Sequence, residues 1–100
     1  MDLSQYTTVF AEEEKQFRLQ LEEGMAYIDF ILNKQGTIFL THTEVPSSLE
    51  GKGVGKKIVE DALNYIEVAG WKLAPLCPFV AAYLKKHPQY SRILAPGYNI

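Results

Sequence analysis

The chain has 100 residues, of which 47% are apolar and 22% are charged, and its formal net charge at pH 7 is −2. This length predicts a single domain over residues 1–100. The negative net charge argues against a protein that binds nucleic acid through bulk positive charge. No segment approaches the ~18 consecutive apolar residues of a membrane span, and the N-terminus lacks the pattern of a signal peptide.

The cysteine and histidine content also restricts the class of protein. A single cysteine excludes an intramolecular disulfide and is typical of the reducing cytoplasm, where we expect this protein to reside. The cysteine and the two histidines are far apart in the sequence and form no recognisable zinc pattern. We therefore expect no metal site.

The first half of the chain has the pattern of β-strands joined by short turns. The sequence becomes strand-like at Thr8, and in the stretch 17–21 apolar residues alternate with polar ones. Turn signals separate this stretch from two further predicted strands, at 25–32 and 37–45. Because the turns are short, the three strands should form an antiparallel meander.

The second half of the chain alternates helix and strand. From Val54 the apolar residues recur at a spacing of about 3.6, which predicts an amphipathic helix that ends at Gly70. A strand at 71–76 follows, and Pro78, which suits a first helical turn, introduces a short helix at 79–87. The predicted order is β-β-β-α-β-α, an α/β (α+β) fold with a mostly antiparallel sheet and one parallel β-α-β unit.

A glycine-rich turn stands between the third predicted strand and the first helix. At Gly51, Gly53 and Gly55 the missing side chains let backbone N–H groups approach an anion at the helix N-terminus. Lys52, Lys56 and Lys57 oppose the helix dipole there, an arrangement that makes sense if a bound phosphate neutralises them. The alternative is a flexible loop with solvated lysines. The turn matches neither the Walker loop nor the dinucleotide-binding fingerprint.

Several short motifs together resemble a known family. The stretch 45–55 resembles motif A of the GNAT superfamily of acyl-CoA-dependent N-acetyltransferases, with Glu50 where that motif usually has Arg or Gln. The sequences HTEVP at 42–46, LEGKG at 49–53 and PLCPF at 75–79 are similar to those of the compact GNAT-like family. This resemblance implies a minimal GNAT-like fold without the helical region that longer members carry between their first two strands.

The resemblance, which covers roughly residues 17–90, also implies a cofactor and a reaction. The cofactor is acetyl-coenzyme A, with its pyrophosphate over 51–56 and its pantetheine along 43–45. The acetyl group would point toward Cys77 and His42, for transfer to an amine of a small molecule, a peptide or a protein. The residues implied in coenzyme A binding are Thr43, Glu44, Val45, Gly51, Lys52, Gly53, Val54, Gly55 and Lys56.

Cys77 is the first candidate for catalysis. It precedes a proline, so it should be extended and form the N-cap of the last predicted helix. A helix N-terminus favours the nucleophilic thiolate, which could accept the acetyl group as a thioester before passing it on. The compact family is thought to use a cysteine at this position. The alternative is a buried cysteine that acts as a small hydrophobe.

His42 and Tyr83 are candidates for acid–base catalysis. With a period of two, His42 should share a strand face with Leu40 and Glu44, and it could accept a proton from the acceptor amine. Tyr83 resembles the tyrosine that many GNAT enzymes place near the departing thiolate as a general acid. The alternatives are a structural or surface histidine and a tyrosine that belongs to the core.

Two rival functions stay open. A non-catalytic module would bind an acyl-coenzyme A without turnover, whereas an interaction domain would bind no coenzyme because its glycine turn is only a turn. The oligomeric state is open as well. An exposed strand edge near Leu76 would permit a weak homodimer, and nothing requires more than a monomer.

Overall fold

Five strands form one sheet in the computed structural model, which describes residues 2–99. The elements in chain order are β1 (Val9–Ala11), β2 (Gln16–Leu21), β3 (Gly24–Leu32), β4 (Thr37–Glu44), α1 (Val54–Ala69), β5 (Lys72–Pro75) and α2 (Pro78–Lys86). Short 3-10 helices lie at Ser47–Leu49 and Pro88–Ile93. Neighbouring strands are antiparallel from β1 to β4, and β4 pairs with β5 in parallel. The predicted class, a mixed fold with a mostly antiparallel sheet, is confirmed.

The sheet has one strand more than the predicted order β-β-β-α-β-α. β1 has three residues, too few for an alternating pattern to identify it, and Phe10 in this strand pairs with Phe17 in β2. A tight turn at 12–15, in which Lys15 has a φ of 57°, connects the two strands. The rings of Phe10 and Phe17 lie 5.4 Å apart, so packing against the core holds this edge strand in place.

The core lies between one face of the sheet and the apolar stripe of α1. As predicted, α1 begins at Val54 and ends at Gly70, whose φ of 79° allows the N–H of Trp71 to donate to the carbonyl of Ile66. Burial of each large apolar side chain in this stripe stabilises the folded state by about 1.5–3 kcal/mol. This packing fixes the start of α1 relative to the sheet. Neither α1 nor any other helix in residues 2–99 is long and apolar enough to cross a membrane.

β4 contains a bulge that changes which of its side chains face the core. The register between β3 and β4 shifts by one residue, so that Thr41 is an extra residue in β4. Leu40 faces the core before the shift, and Thr43, the partner of the fully buried Ile28, faces it afterwards. His42 therefore faces the other side of the sheet. The prediction that His42 shares a face with Leu40 is wrong, because a period of two does not continue through a bulge.

The parallel strands β4 and β5 separate toward their carboxyl ends. Their pairing stops at Leu40 opposite Pro75, whereas β4 continues to Glu44. Beyond this point the N–H of Cys77 donates to the carbonyl of Leu40 at 2.9 Å, and the chain enters α2. This opening lies beside the start of the connection from β4 to α1, the edge at which α/β proteins place ligands.

The outer edge of β5 is partly covered by the C-terminal segment. Leu94 forms a parallel bridge with Leu73, and the N–H of Ala95 donates to the carbonyl of Leu73 at 2.8 Å. Leu76, just beyond β5, is 52% exposed. The edge available to a second copy of the chain is thus shorter than the sequence suggests.

Candidate functional site

The turn between β4 and α1 owes its shape to glycines in the left-handed conformation. Gly51 and Gly53 have φ angles of 76° and 82°, a region that costs other residues roughly 1–2 kcal/mol. Gly53 is the N-cap residue of α1 and has no side chain with which to cap the helix. These two glycines therefore bend the chain and leave the start of α1 open.

Gly55 has a different role, which is to accommodate Phe79 from α2. A Cβ atom at Gly55 would lie 2.6 Å from Cζ of Phe79, closer than real contacts allow. The Phe79 ring thus packs directly on the first turn of α1, while 40% of the residue stays exposed. The contact with Phe79 is thus a packing reason for glycine at position 55, whereas anion binding stays a prediction at all three glycines.

The backbone N–H groups of this turn lack acceptors among the described residues. Within residues 2–99, no N–H from Gly51 to Lys56 donates a hydrogen bond of standard geometry to the chain. The N–H groups of Val54, Gly55 and Lys56 belong to the first turn of α1, where intrahelical acceptors do not exist. Such N–H groups carry partial positive charge, and several consecutive ones at a helix N-terminus are suited to binding an anion.

A cavity of about 430 Å³ opens onto the turn. It is lined by the end of β4, the connection to α1, the first turn of α1, and one aromatic ring from α2. The lining residues are Thr43, Glu44, Val45, Leu49, Glu50, Gly51, Gly53, Val54, Gly55, Lys56 and Phe79. Every residue predicted to bind coenzyme A belongs to this set except Lys52, which is exposed on the turn.

Leu49 and Phe79 line this cavity although the sequence does not predict them as site residues. Leu49 is fully buried beneath the turn, in the 3-10 helix that precedes it. Phe79 comes from a distant part of the chain. The only signal for it is Pro78, which starts α2 and so places the next side chain on the first turn of that helix.

The charges around the cavity are mixed. Lys56 lines it, and Lys52 is exposed nearby. Lys57 is instead paired with Asp61, one helical turn further on, at 3.1 Å. Glu50 also lines the cavity, and its carboxylate opposes the binding of a phosphate.

Cys77 connects the start of α2 with the end of β4. It is the N-cap residue of α2, as predicted, with an extended backbone at φ −78° and ψ 126°. Its Sγ atom lies 3.3 Å from Oγ1 of Thr43, and the residue is 3% exposed. Thr43 lines the cavity and Cys77 does not, so the buried thiol contacts a residue of the cavity wall without lining the cavity itself.

His42 lies on the other face of β4. Its Nε2 is 3.1 Å from Oε1 of Glu44, and both side chains are 55% exposed. The ring of Tyr27 flanks the imidazole, with the ring centres 6.3 Å apart. Because Thr43 faces the core, the bulge places His42 and Cys77 on opposite sides of the strand.

Tyr83 lies further along α2, in a second cavity of about 310 Å³ that shares Lys56 and Phe79 with the first. Its hydroxyl donates to Oε2 of Glu60 on α1 at 3.1 Å. Burial, and then the hydrogen bond to Glu60, raise the pKa of Tyr83 to about 12. Within the described chain, no hydrogen bond joins the three predicted catalytic side chains to one another.

Comparison with known proteins identifies the family. Residues 16–93 match the family described as GCN5-related N-acetyl-transferase. The chain belongs to this family. The matched span runs from β2 to the 3-10 helix after α2. It therefore includes the glycine turn and all three candidate catalytic residues.

The individual relatives share only a limited sequence identity with this chain. A GCN5-like protein of Staphylococcus aureus, determined by NMR in solution, has a TM-score of 0.67 and 24% identity, over 95% of this chain and 91% of its own. Protein NATD1 of Xenopus tropicalis is 32% identical over 62 residues, which are 60% of this chain and 57% of that protein. NATD1 of Danio rerio is 27% identical over 90 residues, 83% of this chain and 80% of that protein. The first of these NATD1 proteins is thus matched over little more than half its length.

Proposed function

We propose that this chain binds acetyl-coenzyme A and transfers its acetyl group to an amine. The observation that carries the proposal is the row of N–H groups from Gly51 to Lys56 beside a cavity of about 430 Å³. A pyrophosphate offers several oxygen acceptors to consecutive N–H donors, and the helix N-terminus favours its negative charge. Membership of the GCN5-related family supports the same ligand.

The other lining residues fit the rest of this ligand. Beyond Leu40, β4 has no pairing with β5, so its backbone toward Glu44 is available for hydrogen bonds with the amides of a pantetheine arm. Leu49 and Phe79 add apolar surface to the cavity wall. Acetyl-coenzyme A would supply the acetyl group as an activated thioester.

His42 is the chain's best-placed base for an amine acceptor. Its imidazole is exposed and is oriented by the Glu44 carboxylate, which would stabilise the protonated form after a proton is taken up. Because His42 faces the side of the sheet opposite the core, the acceptor would approach from that side.

A second candidate function is a module that binds acyl-coenzyme A without turnover. The observation in its favour is the separation of the predicted catalytic residues. Cys77 is buried and does not line the cavity, His42 is on the opposite face of β4, and the Tyr83 hydroxyl donates to Glu60.

Two measurements separate these functions. The first is a calorimetric titration with acetyl-coenzyme A, and the second is an assay of thiol release with a panel of amines and lysine peptides. For the enzyme we expect binding and turnover, with His42→Ala lowering turnover about a hundred-fold and leaving the affinity unchanged. Binding without turnover on any amine would favour the second candidate. An absence of binding would refute both.

A further inference from the structure

We infer that a patch on the outer face of the sheet, formed by Tyr27, Asp29, His42 and Glu44, binds the acceptor as an alkylammonium ion. The chain would therefore select aliphatic primary amines, which are protonated at neutral pH as lysine is, over aromatic amines, which are neutral. This inference rests on the proposed function, for which it names the class of acceptor. We call these four residues the His42 patch.

The pairing of β3 with β4 brings the side chains of the His42 patch together. Asp29 is the register partner of His42, and Tyr27 is the partner of Glu44. Such partners lie on the same face of a sheet, with Cβ atoms about 4.5–5.5 Å apart. The residues on either side of Asp29 are buried in the core, so Asp29 and Tyr27 face the outer side. The bulge at Thr41 turns His42 to this same side.

The two carboxylates of the His42 patch can accept from an ammonium group. Oδ1 of Asp29 accepts from Nε2 of Gln16 at 2.9 Å, and Oε1 of Glu44 is 3.1 Å from Nε2 of His42. Within residues 2–99, neither carboxylate forms an ion pair with Lys or Arg. Arg18, on β2, instead donates from Nε to Oε1 of Gln16 at 2.7 Å. An ammonium group between the carboxylates would form charge-assisted hydrogen bonds with them.

Tyr27 adds an aromatic surface for the same cation. The centre of its ring lies 6.3 Å from that of His42, and the planes of the two rings differ by 58°. The imidazole is therefore not stacked on the phenol ring. Tyr27 is half-buried, which holds its ring in place. The face of an aromatic ring attracts a cation within about 6 Å of its centre, and the ring also offers apolar surface to an alkyl chain.

His42 can take a proton from an ammonium ion bound in this patch. A carboxylate only accepts hydrogen bonds, so the Glu44 contact assigns the imidazole proton to Nε2 and leaves Nδ1 as the acceptor. The ammonium ion would give one proton to Nδ1 and become an amine with a free lone pair. The imidazolium formed stays paired with Glu44. Glu44 also lines the cavity beside the glycine turn, so the His42 patch adjoins that cavity.

The turn between β2 and β3 adds negative charge beside the His42 patch. Glu22 and Glu23 are exposed in this turn. A Cβ atom built at Gly24 would lie 3.0 Å from Cγ of Pro46, two residues beyond Glu44, so the turn is close to the end of β4. The surrounding potential therefore favours a cation over an anion.

A comparison of pentylamine with pentan-1-ol tests the His42 patch, because the two differ in charge and not in length. Each is titrated at pH 7 into isotopically labelled protein without coenzyme, and the backbone amide signals of 27–29 and 42–44 are followed. Tyr27→Leu and Asp29→Asn alter the patch. Phe39→Leu is the matched control, since it removes a ring from the same face of β4 before the bulge. Thermal unfolding monitored by circular dichroism would verify that the variants are folded.

We expect pentylamine to bind about ten-fold more tightly than pentan-1-ol. Tyr27→Leu and Asp29→Asn should each reduce this preference about three-fold, and Phe39→Leu should preserve it. In the thiol-release assay, the first two variants should raise the KM for pentylamine and leave the KM for acetyl-coenzyme A unchanged.

Three results would contradict parts of this account. Equal binding of pentylamine and pentan-1-ol, or binding of neither, would overturn the inference and leave the proposed function intact. A preference that survives in both Tyr27→Leu and Asp29→Asn would overturn the location. A preference for pentylamine without turnover on any amine would refute the proposed transfer and leave the cation site in place.

Discussion

The Sγ atom of Cys77 lies 3.3 Å from Oγ1 of Thr43, although the two residues are 34 positions apart in the chain. The contact joins the N-cap of α2 to the part of β4 that has no pairing with β5. Thr43 faces the thiol, rather than solvent, only because the bulge at Thr41 reverses the alternation of side chains along the strand. Thr43 is thus the one residue that both contacts the thiol through its side chain hydroxyl and lines the cavity, among the contacts of residues 2–99 given above.

Thr43→Ala should expose the Cys77 thiol to the cavity. We expect its alkylation by iodoacetamide to become several-fold faster, because the substitution removes the hydroxyl group that contacts the buried sulfur and shortens a side chain of the cavity wall. Thr37→Ala, at the far end of β4, is the control and should leave the rate unchanged. An unchanged rate in Thr43→Ala would show that the thiol is shielded by other groups.

Gly55→Ala should destabilise the chain because the new methyl group collides with the Phe79 ring at 2.6 Å. We expect a loss of about 1–3 kcal/mol in the free energy of unfolding, measured with urea. The loss should be smaller in a Phe79→Leu background, where the colliding ring atoms are absent. Equal losses in both backgrounds would contradict the packing role of Gly55.

Gly51→Ala tests the conformational role of the turn separately. Apart from its neighbours in the chain, no atom of residues 2–99 lies within 4 Å of a Cβ built at Gly51, so we expect the cost to come from its φ of 76°. We expect the free energy of unfolding to fall by roughly 1–2 kcal/mol. The fall should be the same in the Phe79→Leu background as in the unmodified chain. A neutral substitution would indicate that the turn adopts another conformation in solution.

Glu50→Gln should strengthen coenzyme A binding. The substitution removes a carboxylate that lines the cavity next to the glycine turn and opposes a phosphate. We expect a gain of about 0.5–1 kcal/mol, or two- to five-fold in affinity, that shrinks at high salt. Glu13→Gln, on the exposed turn between β1 and β2, is the control. A weaker affinity in Glu50→Gln would mean that this carboxylate contacts the ligand favourably.

The raised pKa of Tyr83 predicts a loss of stability in alkali. The folded chain holds the phenol proton up to a pKa of about 12, whereas the unfolded chain releases it near about 10. The folded state therefore binds this proton more tightly. The stabilisation that Tyr83 gives to the folded state is complete below pH about 10 and is lost as the pH rises toward about 12. Tyr83→Phe should make urea stability decline less steeply over this range, and an identical decline would contradict the shift.

The features that local patterns determine are predicted well from this sequence. Val54–Ala69 forms a helix where it is expected, and Gly70 ends it, because an apolar stripe and a terminal glycine are both local signals. The parallel pairing of β4 with β5 follows from the strand–helix–strand order. The glycine turn could be located, because its glycines stand at the junction of strand and helix.

Features that depend on distant contacts are missed. The bulge at Thr41 inserts one residue without any marker in the sequence, and it moves His42 to the other face of the sheet. The use of Gly55 to receive Phe79 depends on how two helices pack. β1 lies where the sequence becomes strand-like after Thr8, but its three residues are too few to be counted as a separate strand, and Phe10 holds it against the core.

The most direct test of coenzyme binding at the glycine turn is a titration of acetyl-coenzyme A into isotopically labelled protein, followed through its backbone amide signals. We expect the largest shifts from Gly51 to Lys56, whose N–H groups have no acceptor in the described chain, with smaller shifts at Val45 and Cys77. The amides of β1 and β2, remote from the cavity lining, should be unaffected. The absence of shifts at millimolar ligand, or shifts confined to other parts of the chain, would contradict coenzyme binding at this turn.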